Sequence, residues 1–202
     1  LIFFDLDDTL LDHEGAVLAA ILEFRKQHEP LLRLNEELFI SKWFELEEKY
    51  YNQYLSKEIT YQEQRIFRMQ RIFKQVDSQI DEQNAMNLFQ CYAEVYRANW
   101  KPFDDVLPTL RQLAGIPLGI ITNGEYDQQL LKLKKLEIEP FFNVIIASGQ
   151  YGTAKPNREI FHAASQKAGV PIEQCIYIGD RFETDAIGSM KAGMTGIWLN
   201  RK

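Results

Sequence analysis

The sequence predicts an α/β protein, a doubly wound Rossmann-like parallel sheet into which an α-helical bundle is inserted. Three observations predict it. Short β-rich apolar runs recur at residues 1–4, 116–121, 144–147, 175–178 and 196–199, the later ones separated by amphipathic helical stretches. Such alternation implies parallel strands joined by right-handed crossovers. Residues 14–99 form a second texture, with very little Gly or Pro and with apolar residues at helical spacing. Finally, the polar residues capable of chemistry stand just after the apolar runs, where an open parallel sheet binds its ligands.

The first run, Leu1-Ile2-Phe3-Phe4, ends abruptly in Asp5-Leu6-Asp7-Asp8-Thr9. Side chains alternate along extended backbone, so Asp5 and Asp7 are expected to project to the same side, where a cation must offset their repulsion. That reads as a metal-assisted phosphoryl-transfer site; the plainer alternative is a strand running into a capped polar loop. Four helices are expected next, from the spacings Leu18, Ile21, Leu22; Leu38, Phe39, Phe44; Ile66, Met69, Ile72, Phe73; and Leu88, Tyr92, Val95, Tyr96. Asn35 before Glu36-Glu37, Thr60 with Glu63, and Asp81 before Glu82 mark three of their starts. The expected division is therefore an α/β core of residues 1–13 and 100–202 and a helical cap of residues 14–99, with hinges near His13-Glu14-Gly15 and between residues 99 and 102.

Composition bounds the function. A chain of 202 residues, 46% hydrophobic and 26% charged, can bury a substantial core. The net charge of −6 and the lack of a Lys/Arg block argue against nucleic-acid binding, while leaving room for a small phosphorylated ligand in a local cationic pocket. Only Cys91 and Cys175 occur, both expected to serve packing, which suits a reducing cytoplasm. No run of about 18 apolar residues offers a membrane span. The chain starts inside an apparent strand without an initiating Met, so residues before Leu1 are expected. His13, His28 and His162 make no metal-ligand pattern and receive no chemical role.

After the second run come Thr122-Asn123-Gly124, and after the fourth Gly179-Asp180, with Asp185 five residues on; Lys155-Pro156 lies in a loop between the third and fourth runs. Taken singly, each has a bland reading: a turn, a solvated lysine, or aspartates capping a helix. Taken together they supply a nucleophile, an acid/base partner, a hydroxyl, an ammonium and further carboxylates. In this order the chain resembles the haloacid dehalogenase-like hydrolase superfamily, in the branch with a helical cap after the first motif. The Asp-x-Asp-x-Thr of that family is Asp5, Asp7 and Thr9, its Thr/Ser is Thr122, its Lys is Lys155, and its acidic motif is Asp180 and Asp185.

The resemblance implies roles. Asp5 would be the nucleophile, forming an aspartyl-phosphate, and Asp7 would protonate the departing alkoxide and later activate water. Mg²⁺ would be held by Asp5, the backbone carbonyl of Asp7, and Asp180. Thr122, Asn123 and Lys155 would hold phosphoryl oxygens, and Asp185 would steer Lys155 and a metal-bound water. The implied reaction is hydrolysis of a small phosphomonoester by a cytoplasmic monomer or weak homodimer that binds neither nucleic acid nor membrane. Asp7 favours phosphate esters over carbon-halogen displacement, since the dehalogenases of the family lack the second aspartate. The absence of a Lys early in the cap weakens a phosphonatase reading. A phosphomutase, a sugar-phosphate phosphatase and a non-catalytic phosphate-binding protein stay open as alternatives. The phrases Ile121-Thr122-Asn123-Gly124, Lys155-Pro156-Asn157 and Trp198-Leu199-Asn200 resemble the bacterial nucleoside-monophosphatase branch. Specificity is expected from the cap, whose Trp43, Phe44, Tyr50, Tyr51, Tyr54 and Tyr61 could form either a bundle core or a stacking platform.

Overall fold

The computed structural model describes residues 1–201 and divides into two compact units, one of residues 1–13 with 100 onward, the other Glu14–Asn99. The first unit is built on a five-stranded parallel sheet of order β3-β2-β1-β4-β5, with strands β1 (Ile2–Phe4), β2 (Leu118–Thr122), β3 (Val144–Ala147), β4 (Ile176–Gly179) and β5 (Thr195–Trp198). Helices fill the crossovers: α5 (Val106–Gln112) precedes β2, α6 (Tyr126–Lys135) follows it, the short α7 (Ser148–Tyr151) and α8 (Arg158–Ala168) join β3 to β4, and α9 (Gly188–Ala192) leads to β5. The doubly wound α/β class expected from the alternation is thus the one observed.

β1 lies at the centre, where both of its edges are paired: Phe3 stands opposite Gly119 on β2 and opposite Tyr177 on β4. The Phe3 ring fills the space that a Cβ at position 119 would need, which is why glycine is accommodated in a central strand there. Phe3, Ile121, Ile146, Ile160, Phe161 and Tyr177 form the buried core on the α8 side. The second strand begins later than its apolar run suggests. Pro117 lacks the N–H that a ladder needs, so Ile116 stays 44% exposed and pairing starts at Leu118. The chain leaves and re-enters this unit along neighbouring segments, which are joined by a bridge between Leu11 and Pro102 and by the Asp12 N–H donating to the Lys101 carbonyl at 3.1 Å.

The second unit holds four helices, α1 (His13–Gln27), which enters it from the first, α2 (Glu36–Leu55), α3 (Tyr61–Lys74) and α4 (Glu82–Ala98). Asn35, Thr60 and Asp81 cap the last three, and Thr60 with Glu63 forms a reciprocal capping box. Two details differ from the sequence reading. On α1 the buried face is Ala16, Val17, Ala20, Ile21 and Phe24 while Leu18 is exposed, and on α2 Leu38 is exposed while Phe39 and Trp43 are buried. Cys91, expected inside, is exposed. Of the aromatics, Trp43 and Tyr50 are core, whereas Tyr51, Tyr54 and Tyr61 are only half-buried and meet in series as tilted ring pairs. Among the described residues no helix is long and apolar enough to cross a membrane.

Candidate active site

In a parallel sheet all strands end on one rim, and β1, in register with β2 on one side and β4 on the other, delivers Asp5 beside the ends of both. The strand order reverses at β1, so its two flanks include the topological switch point where such sheets bind ligands. Asp5 is anchored by its own N–H, which donates to the Ile178 carbonyl at 2.8 Å.

The Lys155 ammonium is buried and lies 2.8 Å from Asp5 Oδ1, 2.8 Å from Asp185 Oδ1 and 2.6 Å from the Tyr177 hydroxyl. Three N–H donors thus face three oxygens. Tyr177 in turn donates its own proton to the Ile121 carbonyl at 2.8 Å, tying the end of β2 to the lysine. The lysine backbone is held as well: Asn123 Oδ1 accepts from the Lys155 N–H at 2.8 Å, and Asn123 Nδ2 donates to the Lys155 carbonyl at 3.1 Å. The side-chain amide of Asn123 is thus committed to the lysine backbone.

Asp185 sits in a π-helical turn, Phe182–Ile187, and is fully buried; its Oδ2 accepts from the Arg181 N–H at 2.9 Å. Gly179 makes room for it, since a Cβ at that position would lie 2.5 Å from the Asp185 carboxyl. Asp180 is oriented by Thr9, whose hydroxyl accepts from the Asp180 N–H at 3.0 Å and lies 3.2 Å from Asp180 Oδ1. The Asp180 carbonyl accepts from the Trp198 indole at 2.8 Å.

Asp5, Asp180 and Asp185 each present an oxygen within 4.8 Å of the others. Burial pushes the Asp5 carboxyl up to about 7, with Asp185 and Asp180 adding to the effect and Lys155 opposing it. Burial likewise raises Asp180 to about 6, reinforced by Asp185 and Asp8. Three carboxylates against one ammonium leave two negative charges in excess when all are ionised. An all-oxygen donor set with that excess fits a hard divalent cation such as Mg²⁺.

Asp7 stands apart from this group. β1 ends at Phe4, and Asp7 is not among the groups that most perturb Asp5, so the repulsion expected between the two is not the one that dominates there. The carboxylates that crowd Asp5 come instead from the loop after β4. Asp7 faces α6: Lys132 Nζ is 2.7 Å from both of its oxygens, Gln129 Nε2 is 3.2 Å from Oδ2, and His13 Nδ1 is 4.0 Å from Oδ1. Burial alone would raise its pKa, but Lys132, then His13, and the Gln129 hydrogen bond hold Asp7 at about 2. Gln129 also donates to the Thr122 hydroxyl at 2.6 Å, so the residues after β1 and β2 share one amide.

Sequence reasoning singled out Asp5, Asp7, Thr122, Asn123, Lys155, Asp180 and Asp185, and all stand at this rim. It missed Tyr177, Gln129, Lys132 and the proximity of His13 to Asp7. A signal existed for two of them: 129, 132, 133 and 136 share a helical face, and finding Gln and Lys on the face that Leu133 and Leu136 bury marks buried polar partners.

A sequence model of the haloacid dehalogenase-like hydrolases matches residues 1–193. The glyceraldehyde 3-phosphate phosphatase of Methanopyrus kandleri is 39% identical over 112 residues, which are 54% of this chain and 48% of that protein. The pyrimidine 5'-nucleotidase YjjG of Escherichia coli is 37% identical over 84 residues, 41% of this chain and 37% of that protein. The matches thus span about half or less of those relatives' length. Among solved structures, the HAD-hydrolase YfnB of Bacillus subtilis, bound to magnesium, superimposes with a TM-score of 0.81 at 23% identity, covering 98% of this chain and 85% of that one.

Proposed function

The chain belongs to the haloacid dehalogenase-like hydrolases, and on that footing we propose that it hydrolyses small phosphomonoesters with Mg²⁺ through an aspartyl-phosphate on Asp5. The observation that carries the reading is the separation of the two N-terminal carboxylates onto different partners, Asp5 against the buried Lys155 and Asp7 against Lys132. Carboxyl groups set against different partners are placed for two distinct tasks, nucleophile and acid/base partner.

Asp5 attacks phosphorus in line, and because a carboxylate is already an oxygen nucleophile, no base is needed. The new P–O bond forms as the ester P–O bond breaks. Asp7 gives a proton to the departing alkoxide and later takes one from the water that attacks the aspartyl-phosphate, regenerating Asp5 and releasing phosphate. In the resting protein Lys132 favours ionised Asp7. An incoming phosphoryl dianion opposes that field and favours the protonated carboxyl needed for the first step. Thr122 and the Asn123 N–H hold phosphoryl oxygens with Lys155, while Asp185 and Tyr177 keep the ammonium in place. Asp5, the Asp7 backbone carbonyl and Asp180 would hold Mg²⁺, which would supply charge neutralisation for these carboxylates and for the phosphoryl oxygens.

The substrate class proposed is a small phosphorylated metabolite, with nucleoside monophosphates first and sugar phosphates second. The names of the two relatives, one acting on glyceraldehyde 3-phosphate and one on pyrimidine 5'-nucleotides, lie within that class. Phosphate release from p-nitrophenyl phosphate, nucleoside monophosphates and sugar phosphates in the presence of Mg²⁺ tests it. Asp5→Asn should lose at least about 10³-fold in kcat with an unchanged circular dichroism spectrum. Parental activity in that variant would end the covalent mechanism, and sugar-phosphate turnover without nucleotide turnover would remove the nucleotide assignment.

A further inference from the structure

α6 carries three lysines in four positions, 132, 134 and 135, yet only Lys132 is buried, with its side chain 3% exposed. A lysine withdrawn from water needs a compensating partner, and Lys132 reaches both Asp7 oxygens at 2.7 Å. The Trp100 ring packs 5.9 Å from the same ammonium. One helical turn earlier, Gln129 points its amide nitrogen at Asp7 Oδ2, the Thr122 hydroxyl and the Asn123 carbonyl, at 3.2, 2.6 and 3.3 Å. The carboxylate on a turning loop is therefore held at both oxygens by one face of one helix, and the same face holds the hydroxyl at the end of β2.

We propose that Lys132 and Gln129 are positioning residues that fix the Asp7 carboxylate relative to Thr122, so that the acid/base group and the phosphoryl-binding hydroxyl move as one unit. The inference rests on the acid/base assignment of Asp7 given above. General acid catalysis depends on placement first: a displacement of about 1 Å can cost about 10²-fold. Without its two holders, Asp7 would sample several rotamers on a loop that no longer follows a strand.

The test uses leaving groups. The kcat/KM value covers the steps through departure of the alkoxide, and p-nitrophenolate leaves without a proton whereas the alkoxide of glycerol 3-phosphate does not. Lys132→Met, which keeps the length and removes the charge, should lower kcat/KM for glycerol 3-phosphate by about 10²-fold and for p-nitrophenyl phosphate by less than about tenfold. Lys132→Arg should recover part of the difference. Equal losses on both esters would mean a purely structural lysine and overturn the proposal. Gln129→Leu, which leaves the ion pair intact, provides a second variant should Lys132→Met not fold; it should show the same bias at smaller size, and equal losses there would count against the proposal likewise. Asp7→Asn measured in parallel separates the two claims. Selective loss in Asp7→Asn with equal losses in the α6 variants rejects the positioning role alone, whereas no selective loss in Asp7→Asn rejects the acid assignment and the inference with it.

Discussion

Asp5 and Asp7 are two residues apart and identical in chemistry, yet burial beside Asp180 and Asp185 drives one up to about 7 while Lys132 holds the other at about 2. The pH dependence follows from these directions. Asp5 and Asp180 have folded values above their unfolded ones, so the stability they contribute is complete below about pH 4 and is lost as the pH rises to about 7. Asp7 is the reverse case: its contribution is present above about pH 4 and is lost as the pH falls toward 2. Between pH 5 and 8, then, the metal-free protein should melt at progressively lower temperature, and Mg²⁺ should restore more of the loss at pH 8 than at pH 5. Differential scanning fluorimetry with EDTA or Mg²⁺ reads this directly; a Mg²⁺ effect independent of pH would show that the ion does not relieve these carboxylates. Residue types and their order, through the resemblance to a known family, made the candidate participants legible. Their partners were not legible, since alternation within a strand says nothing about which groups other loops and helices bring within reach.

At the level of elements, the ends matter more than the middles. β4 must stop in a glycine because Asp185, from the next turn of chain, lies where a side chain would go. Gly179→Ala should therefore disturb Asp185 and, through it, Lys155, lowering kcat on p-nitrophenyl phosphate by about tenfold or more while the protein stays folded; parental kcat would show that Asp185 can shift without consequence. The start of α3 gives the opposite kind of case. Its capping box satisfies two backbone groups reciprocally, the Thr60 N–H to Glu63 at 2.7 Å and the Glu63 N–H to Thr60 at 3.1 Å. Thr60→Ala should cost about 1 kcal/mol and lower the melting temperature by about 2–4 °C, with hydrolysis unchanged. That box was readable directly from Thr60 and Glu63, because capping is a local event within four residues. The rotated face of α1 was not, because Leu18 and Val17 are equally apolar and only the neighbouring helices decide which of them is covered.

For the whole molecule, the two units divide labour in the proposed reading: every carboxylate, the ammonium and the hydroxyl of the site belong to the unit built on the sheet. Hydrogen exchange should accordingly report Mg²⁺ binding as added protection at residues 5–9 and 180–185, with α2 and α3 unaltered; protection gained first in α2 and α3 would move the ion site out of the sheet. By itself, the amino-acid sequence determined the fold class, the caps of three helices, and which polar residues would stand at strand ends, since these follow from periodicity and from short-range hydrogen bonding. The tertiary structure alone decided that Tyr177 and Asp185 share Lys155, that Thr9 orients Asp180, and that Lys132 and Gln129 take Asp7. Each of those contacts joins a pair brought together by a crossover or by the packing of a helix on the sheet, and a buried polar group accepts whichever partner the assembled core leaves within about 3 Å.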